Sequence, residues 1–181
     1  VEENVWYHDG IDFMVRNGYM NGVAADTFDV EGSLTRAQLV TILYRAAGSP
    51  SVSGVTNPFK DTKSDYYTNA MLWAYKNSIV TGTSATTFDP SGQITREQLA
   101  AILYRYTAKY ASDATGNAAS LADYPDAGSV SAYARDAMAW AVGNGLIKGL
   151  PHDKTDYLEP GGSTTRAQVA TILMRYKQAT A

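Results

Sequence analysis

The feature that most constrains the fold of this chain is a four-residue motif that occurs three times. Each occurrence reads Thr-Arg-x-Gln and opens a stretch of apolar residues at helical spacing. The motif occupies residues 35–38, 95–98 and 165–168. An internal repeat implies that every copy forms the same unit, and that the units bury their apolar faces against one another.

The similarity between the copies extends well beyond the motif. A loop rich in small and polar residues precedes each motif, and a glycine stands at the start of each loop. These glycines are Gly22, Gly82 and Gly149. The third loop is longer, with an insertion around residues 152–154. We therefore divide the chain into three copies, at residues 1–48, 57–110 and 121–178, which together form one structural unit.

Each copy has the pattern helix, loop, helix. In the middle copy we expect a first helix over about residues 66–77, an extended loop over 82–92 and a second helix over about 95–106. The segments near 46–57 and 107–122 are small and polar, so we expect connectors there. Neither end of the chain has the polar outer face of a solenoid cap. We therefore predict an all-α protein whose three helix-loop-helix repeats pack as a closed pseudo-three-fold domain.

Composition argues against several functional classes. The net charge of -3 leaves no basic surplus for nucleic acid, and zero cysteines exclude disulfides and thiolate metal sites. No apolar run is long enough to span a bilayer, so we expect no membrane insertion. His8 and His152 are not at equivalent places, no His pair has metal-ligand spacing, and no nucleophile motif occurs. We therefore expect a protein that is not an enzyme and that holds neither a metal nor a cofactor.

The threonine and glutamine of the motif are typical of a capping box at the start of a helix. The Thr hydroxyl accepts from the backbone N–H three residues on, and the Gln side chain reaches back to the N–H of the Thr. We assign this structural role to Thr35, Gln38, Thr95, Gln98, Thr165 and Gln168.

The arginine of the motif has no such simple explanation. Arg36, Arg96 and Arg166 stand at the first helical position, where a cation costs on the order of 0.3–1 kcal/mol. One interpretation is that each binds an anion from outside the chain, and replacement by Ala would then leave the stability unchanged. The other is an internal salt bridge, and position alone does not separate the two. Candidate partners for that bridge are Asp29, Asp89 and Glu159. By contrast, Arg45, Arg105 and Arg175 lie near helix ends that favour cations, and they need no function.

A wider pattern resembles the S-layer homology family. It comprises a Phe-x-Asp segment at 59–61, an aromatic residue at the start of the first helix, a glycine, a Phe-x-Pro step at 88–90 and the Thr-Arg-x-Gln motif. The resemblance covers almost the whole chain. It implies a secreted protein at the Gram-positive cell surface, anchored non-covalently to the wall and carrying further passenger domains. The implied partner is a secondary cell-wall polysaccharide bearing ketal-linked pyruvate, bound in grooves between adjacent repeats.

The resemblance also implies roles for individual residues. The arginines of the motif, Arg36, Arg96 and Arg166, would bind the carboxylate. The aspartates at the start of two copies, Asp61 and Asp126, would hydrogen-bond sugar hydroxyls or amides. The aromatic residues Trp6, Tyr66 and Tyr133 would form a platform for a sugar ring. The glycines Gly22, Gly82 and Gly149 would let the ligand approach the backbone.

Each of these roles has a structural alternative. The glycines would provide a positive φ in a turn, the aspartates would cap the first helix, and Tyr66 and Tyr133 would pack in the core. At the level of the whole protein, the alternative is a self-assembly module of a surface layer, with internally paired arginines and no glycan ligand.

The copies also differ from one another. The first copy lacks the Phe-x-Asp segment, and the third has Tyr124-Pro125-Asp126 in its place. The chain starts abruptly at Val1, so we interpret it as a piece of a longer protein whose export signal lies elsewhere. From the differences between the copies we expect the three grooves to bind unequally.

Overall fold

The computed structural model describes residues 3–110 and 117–180. These residues are mostly helical, with one small two-stranded sheet. The α-helices are α1 (His8–Arg16), α2 (Arg36–Ala46), α3 (Thr68–Lys76), α4 (Arg96–Tyr110), α5 (Arg135–Gly143) and α6 (Arg166–Ala179). Two short 3₁₀ helices, Ala127–Ser129 and Ala132–Ala134, precede α5. The strands are β1 (Leu150–His152) and β2 (Thr155–Tyr157).

The first helix of every copy ends in the same way. The amide of Asn17, Asn77 or Asn144 donates to the carbonyl oxygen four residues earlier, at 2.8 Å in each case. The next residue, Gly18, Ser78 or Gly145, has a positive φ. This geometry satisfies a free carbonyl and turns the chain out of the helix. The predicted helix over 66–77 starts later, at Thr68, because residues 66 and 67 form a turn.

The second helix of every copy begins with the capping box that the motif predicts. The hydroxyls of Thr35 and Thr165 accept from the N–H groups of Gln38 and Gln168, and both glutamine side chains accept in return. In the middle copy the two reciprocal bonds, both 3.3 Å long, join Thr95 and Gln98.

Helix α4 runs four residues further than the sequence predicted. Tyr110 stacks on Trp73, with ring centroids 5.9 Å apart, and the indole N–H of Trp73 donates to the Tyr110 hydroxyl at 3.0 Å. This packing holds an additional turn of helix, so the prediction of a connector from residue 107 is wrong for 107–110. The rest of that segment up to 116 lies outside the described residues.

The insertion in the third copy forms the antiparallel hairpin of β1 and β2, with Leu150 opposite Tyr157. Asp153 in its two-residue turn has a φ of 52°, which suits a tight hairpin. The sequence predicted only a loop here, so the all-α prediction is incomplete at this point.

The helices pack between copies. Helix α2 lies against α3, α4 lies against α5, and α6 lies against α1. The buried core is continuous and includes Trp73, Phe88, Leu99 and Leu103, each at most 2% exposed.

Main-chain hydrogen bonds also join the copies. Just before the motif, the N–H of Leu34 donates to the carbonyl of Thr164 at 3.0 Å. Ile94 N–H donates to Leu34, and Thr164 N–H donates to Ile94, both at 2.9 Å. These bonds bring the starts of α2, α4 and α6 together, which decides where the three arginines point.

Candidate functional site

The three motif arginines are buried and reach across to a different copy. Arg36, Arg96 and Arg166 are 8%, 3% and 6% exposed. Each guanidinium enters the loop that follows the first helix of another copy and donates to two backbone carbonyls there.

The geometry is nearly the same in all three places. Arg36 donates from Nε to the carbonyl of Phe88 at 2.8 Å and from Nη2 to that of Thr81 at 3.0 Å. The corresponding bonds join Arg96 to Leu158 (2.6 Å) and Lys148 (2.7 Å), and Arg166 to Phe28 (2.7 Å) and Asn21 (2.6 Å). Each arginine therefore fixes one loop onto the start of a helix from another copy.

The alternative of internal salt bridges does not describe how these arginines are paired. Within the described residues, the ion pairs are Arg16 with Asp12 and His152 with Glu159. Burial lowers the pKa of Arg36, and the nearby charge of Asp89 acts against this without an ion-pair contact. The salt-bridge alternative is thus wrong for all three arginines, and the partners are carbonyl oxygens.

Carbonyl oxygens carry only partial charge, so the positive charge of each arginine is not neutralised by its partners. No described residue accepts from Nη1 of Arg36, Arg96 or Arg166. Every buried side-chain nitrogen in the described residues has a partner, so Nη1 keeps contact with solvent. An anion can approach the arginine from that edge.

Clefts lie beside two of the arginines. The first, which we call the Arg36 cleft, has a volume of about 410 Å³. Its lining consists of Arg36, Val80, Thr81, Gly82, Thr83, Gln98, Ala101, Ile102, Arg105 and Tyr133. The second, the Arg166 cleft, has a volume of about 350 Å³. Its lining consists of Met20, Asn21, Gly22, Val23, Gln38, Thr41, Ile42, Arg45, Tyr66 and Arg166.

The two clefts are built from equivalent residues. Each combines an arginine of one copy, the loop and second helix of the next, and a tyrosine of the copy after that. Each cleft has two arginines among the described residues that line it, and no acidic residue. Both clefts therefore carry a local positive charge in a protein whose net charge is -3.

Arg45 and Arg105 are the cleft residues that the sequence interpretation missed. Gln38, Thr41, Ile42 and Arg45 follow the spacing i, i+3, i+4 and i+7, which places them on one face of α2. The equivalent residues of α4 show the same spacing. This stripe was visible in the sequence and would have identified both arginines.

The tyrosines of the clefts lie at the surface. Tyr66 and Tyr133 are 60% and 55% exposed, whereas the neighbouring Tyr67 is buried. The alternative that Tyr66 and Tyr133 pack in the core is therefore wrong. Trp6, at the equivalent place in the first copy, is 62% exposed.

Tyr133 is held in place by the second copy. Its hydroxyl donates to the carboxylate of Glu97 at 3.2 Å, and the same carboxylate accepts from the N–H and hydroxyl of Ser131. Burial and the charge of Glu97 raise the pKa of Tyr133 to about 12.

Gly22, Gly82 and Gly149 do not have positive φ values, so the explanation that they provide a positive φ is wrong. A Cβ placed on Gly22 would lie 2.7 Å from the carbonyl oxygens of Ala24 and Thr27. At Gly82 it would collide with Ser84 and Thr87 in the same way. The tight turn of the loop itself therefore requires glycine here.

Asp61 and Asp126 bind backbone and do not cap the first helices. Asp61 accepts from the N–H groups of Phe88 and Asp89 at 2.8 and 2.7 Å. Desolvation acts to raise the pKa of Asp61, but these N–H groups and the nearby Arg36 outweigh it and lower the pKa. Asp126 binds the equivalent N–H groups in the third loop.

The third set of equivalent residues lines neither cleft. It consists of Arg96, Gly149, Arg175 and Trp6. The hairpin follows Gly149 directly, and the side chain of Asp156 lies against this glycine. Residues 3–110 and 117–180 contain no group of three or more His, Asp or Glu arranged to hold a metal ion.

Comparison with known proteins agrees with this repeat structure. The S-layer homology domain matches residues 3–40, 58–100 and 123–170, and the chain belongs to this family. It is 33% identical to an endoglucanase of Bacillus sp. (strain KSM-635), over 96% of this chain and 18% of that protein. It is 30% identical to the surface-layer 125 kDa protein of Lysinibacillus sphaericus, over 92% of this chain and 14% of that protein. An S-layer protein of Bacillus thuringiensis subsp. finitimus is 24% identical over 94% of this chain and 20% of its own length.

The chain thus spans a fifth or less of the length of these relatives. The family and the surface-layer relatives from Gram-positive bacteria identify a secreted, cell-wall-associated module. Within the described part of the chain, no helix is both long enough and apolar enough to cross a membrane.

Proposed function

We propose that this chain anchors a larger protein non-covalently to the cell wall by binding an anionic glycan in the clefts between its repeats. The observation that carries the proposal is the pair of equivalent clefts. Each has two arginines, no acidic lining residue and an exposed tyrosine at its edge.

This combination suits a sugar that bears a carboxylate. The arginines of a cleft offer N–H donors to the carboxylate, and charge-assisted bonds of this kind are stronger than neutral ones. The exposed face of Tyr133 or Tyr66 offers an apolar surface to a pyranose ring, while the hydroxyl of Tyr133 stays bonded to Glu97. A secondary cell-wall polysaccharide with ketal-linked pyruvate is the ligand that we infer, since its pyruvate supplies that carboxylate.

The proposal includes the closure of the three repeats into one pseudo-three-fold domain. The hydrogen bonds among Leu34, Ile94 and Thr164 support it, as do the contacts of α2 with α3, α4 with α5 and α6 with α1. Because each cleft takes residues from all three copies, the copies would have to act as one unit for either cleft to exist.

The motif arginines then have two roles. Arg36 and Arg166 hold the loops of the second and first copies, and each presents its free Nη1 edge to the cleft. Asp61 and Asp126 act through the same loops, because their carboxylates hold the backbone beside the arginine. We propose Arg96, Gly149 and Trp6 as the basis of a third, separate binding surface.

We further propose that the chain is a non-catalytic anchor with passenger domains elsewhere in the full protein. Relatives named as an endoglucanase and as surface-layer proteins match over this same module. Binding in more than one cleft along one polymer would add avidity to contacts that are weak individually.

A second candidate function is a structural module of a surface layer with no glycan ligand. The two carbonyl partners of each buried arginine favour it, because they account for the arginine without a ligand. They do not account for Arg45 and Arg105, which line the clefts.

Those two arginines provide the test. The double variant Arg45→Ala and Arg105→Ala should cosediment at least tenfold less with purified cell walls, equivalent to about 1.4 kcal/mol or more. Arg16→Ala is the matched control, since this arginine is exposed and lies outside both clefts. Cosedimentation should be lost from walls whose polysaccharide has been extracted. Equal sedimentation of the double variant and the control would favour the structural module.

A further inference from the structure

Asparagine is followed directly by glycine at three places in the chain, and one of these Asn-Gly steps lies in the Arg166 cleft. The steps are at residues 17–18, 21–22 and 144–145. In such a step the backbone nitrogen of the glycine can attack the side-chain amide of the asparagine and expel ammonia. Glycine favours this reaction because it has no side chain to hinder the attack. The surroundings of each step therefore decide how fast it reacts.

The steps at the ends of α1 and α5 are held by their helices. The side-chain amides of Asn17 and Asn144 donate to helix carbonyls, each at 2.8 Å. The N–H groups of Gly18 and Gly145, whose nitrogens would attack, donate to carbonyls three residues earlier, both at 2.9 Å. Two hydrogen bonds have to break before either step can react, so we expect both to react slowly.

The step at Asn21 lacks both of these hydrogen bonds. Asn21 and Gly22 are exposed and belong to neither a helix nor a strand. Within the described residues, no group bonds to the side-chain amide of Asn21 or to the N–H of Gly22. The hydrogen bond that Asn21 does make is through its carbonyl oxygen, which accepts from Arg166 at 2.6 Å. The two reacting groups of this step are therefore free to meet.

Arg166 also favours the first chemical step. The carbonyl of Asn21 and the N–H of Gly22 belong to one peptide group, and the nitrogen attacks after it has lost its proton. A cation beside the oxygen stabilises the negative charge that this loss leaves on the peptide group. The arginine that holds the loop thus makes the attacking nitrogen more acidic.

We propose that Asn21 is a site of spontaneous deamidation, and that this reaction closes the Arg166 cleft to anionic ligands as the protein ages. The nitrogen of Gly22 forms a bond to Cγ of Asn21. The bond from Cγ to the amide nitrogen breaks, and this nitrogen leaves as ammonia with the proton that Gly22 has lost. Water then opens the resulting succinimide ring at one of its two carbonyls. The product is aspartate, or isoaspartate in which the main chain passes through the former side chain.

Both products place a carboxylate on a residue that lines the Arg166 cleft, where Asn21 has a neutral amide. This carboxylate shares the cleft with Arg45 and Arg166, and it repels a ligand that carries the same charge. In isoaspartate the oxygen that Arg166 binds becomes part of the new carboxylate, so the arginine is neutralised directly. The loss of affinity rests on the function proposed above, whereas the modification itself does not.

The Arg36 cleft cannot change in this way. The residue before its glycine is Thr81, whose carbonyl accepts from Arg36 just as that of Asn21 accepts from Arg166. Lys148 takes this place in the third copy. Neither residue has a side-chain amide. The two clefts should therefore become unequal with age, because only the Arg166 cleft gains a carboxylate at this position.

Peptide mapping by mass spectrometry tests the modification. The folded chain is incubated for several weeks at mildly alkaline pH in water enriched in heavy oxygen, which labels each ring that hydrolyses. Asn21 should gain the label at least about tenfold faster than Asn17 or Asn144, because hydrogen bonds hold those two steps. In concentrated urea the three rates should become similar. Equal rates in the folded chain, an unchanged Asn21, or a difference that persists in urea would overturn the proposal.

Calorimetry with purified wall polysaccharide tests the consequence for the cleft. The measurement uses Arg105→Ala, in which the Arg36 cleft has lost one arginine, so that the Arg166 cleft can be followed. After incubation this variant should bind at least about tenfold more weakly than before. Asn21→Asp in the same background should bind as weakly as the aged protein. Asn21→Gln is the matched control, because glutamine closes its larger ring much more slowly, and its affinity should not change with incubation.

Two results would overturn the closure of the cleft. One is an affinity that stays constant while Asn21 is converted. The other is an equal loss of affinity in aged Asn21→Gln, because a change elsewhere in the chain would then cause the loss. If the fresh chain does not bind the polysaccharide at all, the proposed function fails and the closure fails with it. The peptide masses still decide the modification in that case.

Discussion

The Arg36 cleft and the Arg166 cleft share one base and differ at one edge. At the base of each, an arginine donates to the two ends of a loop, and a glycine permits the tight turn of that loop. At the edge, Tyr133 of the Arg36 cleft is tied to Glu97, whereas the place of Glu97 beside the Arg166 cleft is taken by Ala37. The comparison separates the residues that build a cleft from those that adjust it.

The difference has two physical consequences. The bonds to Glu97 hold Tyr133 in one position before any ligand arrives, so less side-chain freedom remains to be lost on binding. Glu97 also brings a negative charge near the Arg36 cleft, which Ala37 does not do. The Arg36 cleft is thus more rigid at its edge. The Arg166 cleft has no carboxylate at the position of Glu97, so an anion is repelled less there.

The largest expected effect concerns the shared base. Arg36→Ala and Arg166→Ala should each lower the free energy of unfolding by about 3 kcal/mol, because each leaves two loop carbonyls without a charged donor. In a chain of this size that corresponds to a fall in melting temperature of roughly 6–12 °C. Thermal unfolding followed by circular dichroism measures it, with Arg16→Ala expected within about 0.5 kcal/mol of the wild type.

This result would contradict the expectation, drawn from the sequence, that replacing a motif arginine by Ala leaves the stability unchanged. If one variant is destabilised and the other is not, the bases of the two clefts are not equivalent. That result would contradict the shared base of the Arg36 cleft and the Arg166 cleft.

The next largest expected effect concerns the tyrosine at the edge of each cleft. Tyr133→Ala should weaken glycan binding in the Arg36 cleft about tenfold, because it removes a preorganised ring. Tyr66→Ala should weaken the Arg166 cleft less, by about threefold, since Tyr66 lacks the bond to a carboxylate. Isothermal titration calorimetry with a short pyruvylated fragment measures both. Equal losses would mean that Glu97 does not preorganise the ring.

A smaller effect concerns ionisation. Glu97→Ala should lower the pKa of Tyr133 from about 12 toward its ordinary value of 10.0, because the carboxylate disfavours a nearby phenolate. Ultraviolet titration measures the change, with Tyr133→Phe as the reference that removes this phenol.

The sign of the linked stability follows from the direction of the shift. A tyrosine whose pKa is raised by folding favours the folded state below pH 10, and this contribution is lost as the pH rises toward 12. Glu97→Ala should therefore make the alkaline loss of stability less steep in this range. A pKa of Tyr133 that does not move would contradict the role given to Glu97.

The smallest effect concerns the helix caps that both clefts share. Gln38→Ala and Gln98→Ala should each cost about 1 kcal/mol or less, because each removes one bond to a backbone N–H. Urea unfolding measures the cost. A larger loss of stability in one variant would show that the replaced glutamine also supports the cleft that this glutamine lines.

Much of the local structure was predictable from the sequence, since it depends on short-range chemistry. The Asn-Gly steps after α1 and α5 predicted the helix ends, and the Thr-x-x-Gln spacing predicted the capping boxes. The insertion around 152–154 was recognised, but its pairing as a hairpin was not, because a strand pair this short has almost no periodic signal.

The destinations of the arginines could not be predicted in the same way. The unusual place of Arg36 at a helix start showed that it needs a partner, but its partners lie 45 and 52 residues away in another copy. They are backbone carbonyls, which leave no mark in a sequence. Arg45 was not predicted to bind a ligand for the opposite reason. A cation near the end of a helix is favourable there without any ligand.

The central claim is that the clefts recognise negative charge on a wall glycan, and removal of that charge tests it most directly. Affinity of the unaltered chain should be measured by calorimetry for purified wall polysaccharide before and after chemical removal of its pyruvate. The account predicts a loss of at least tenfold, equivalent to about 1.4 kcal/mol or more. An unchanged affinity for the pyruvate-free polymer would contradict it.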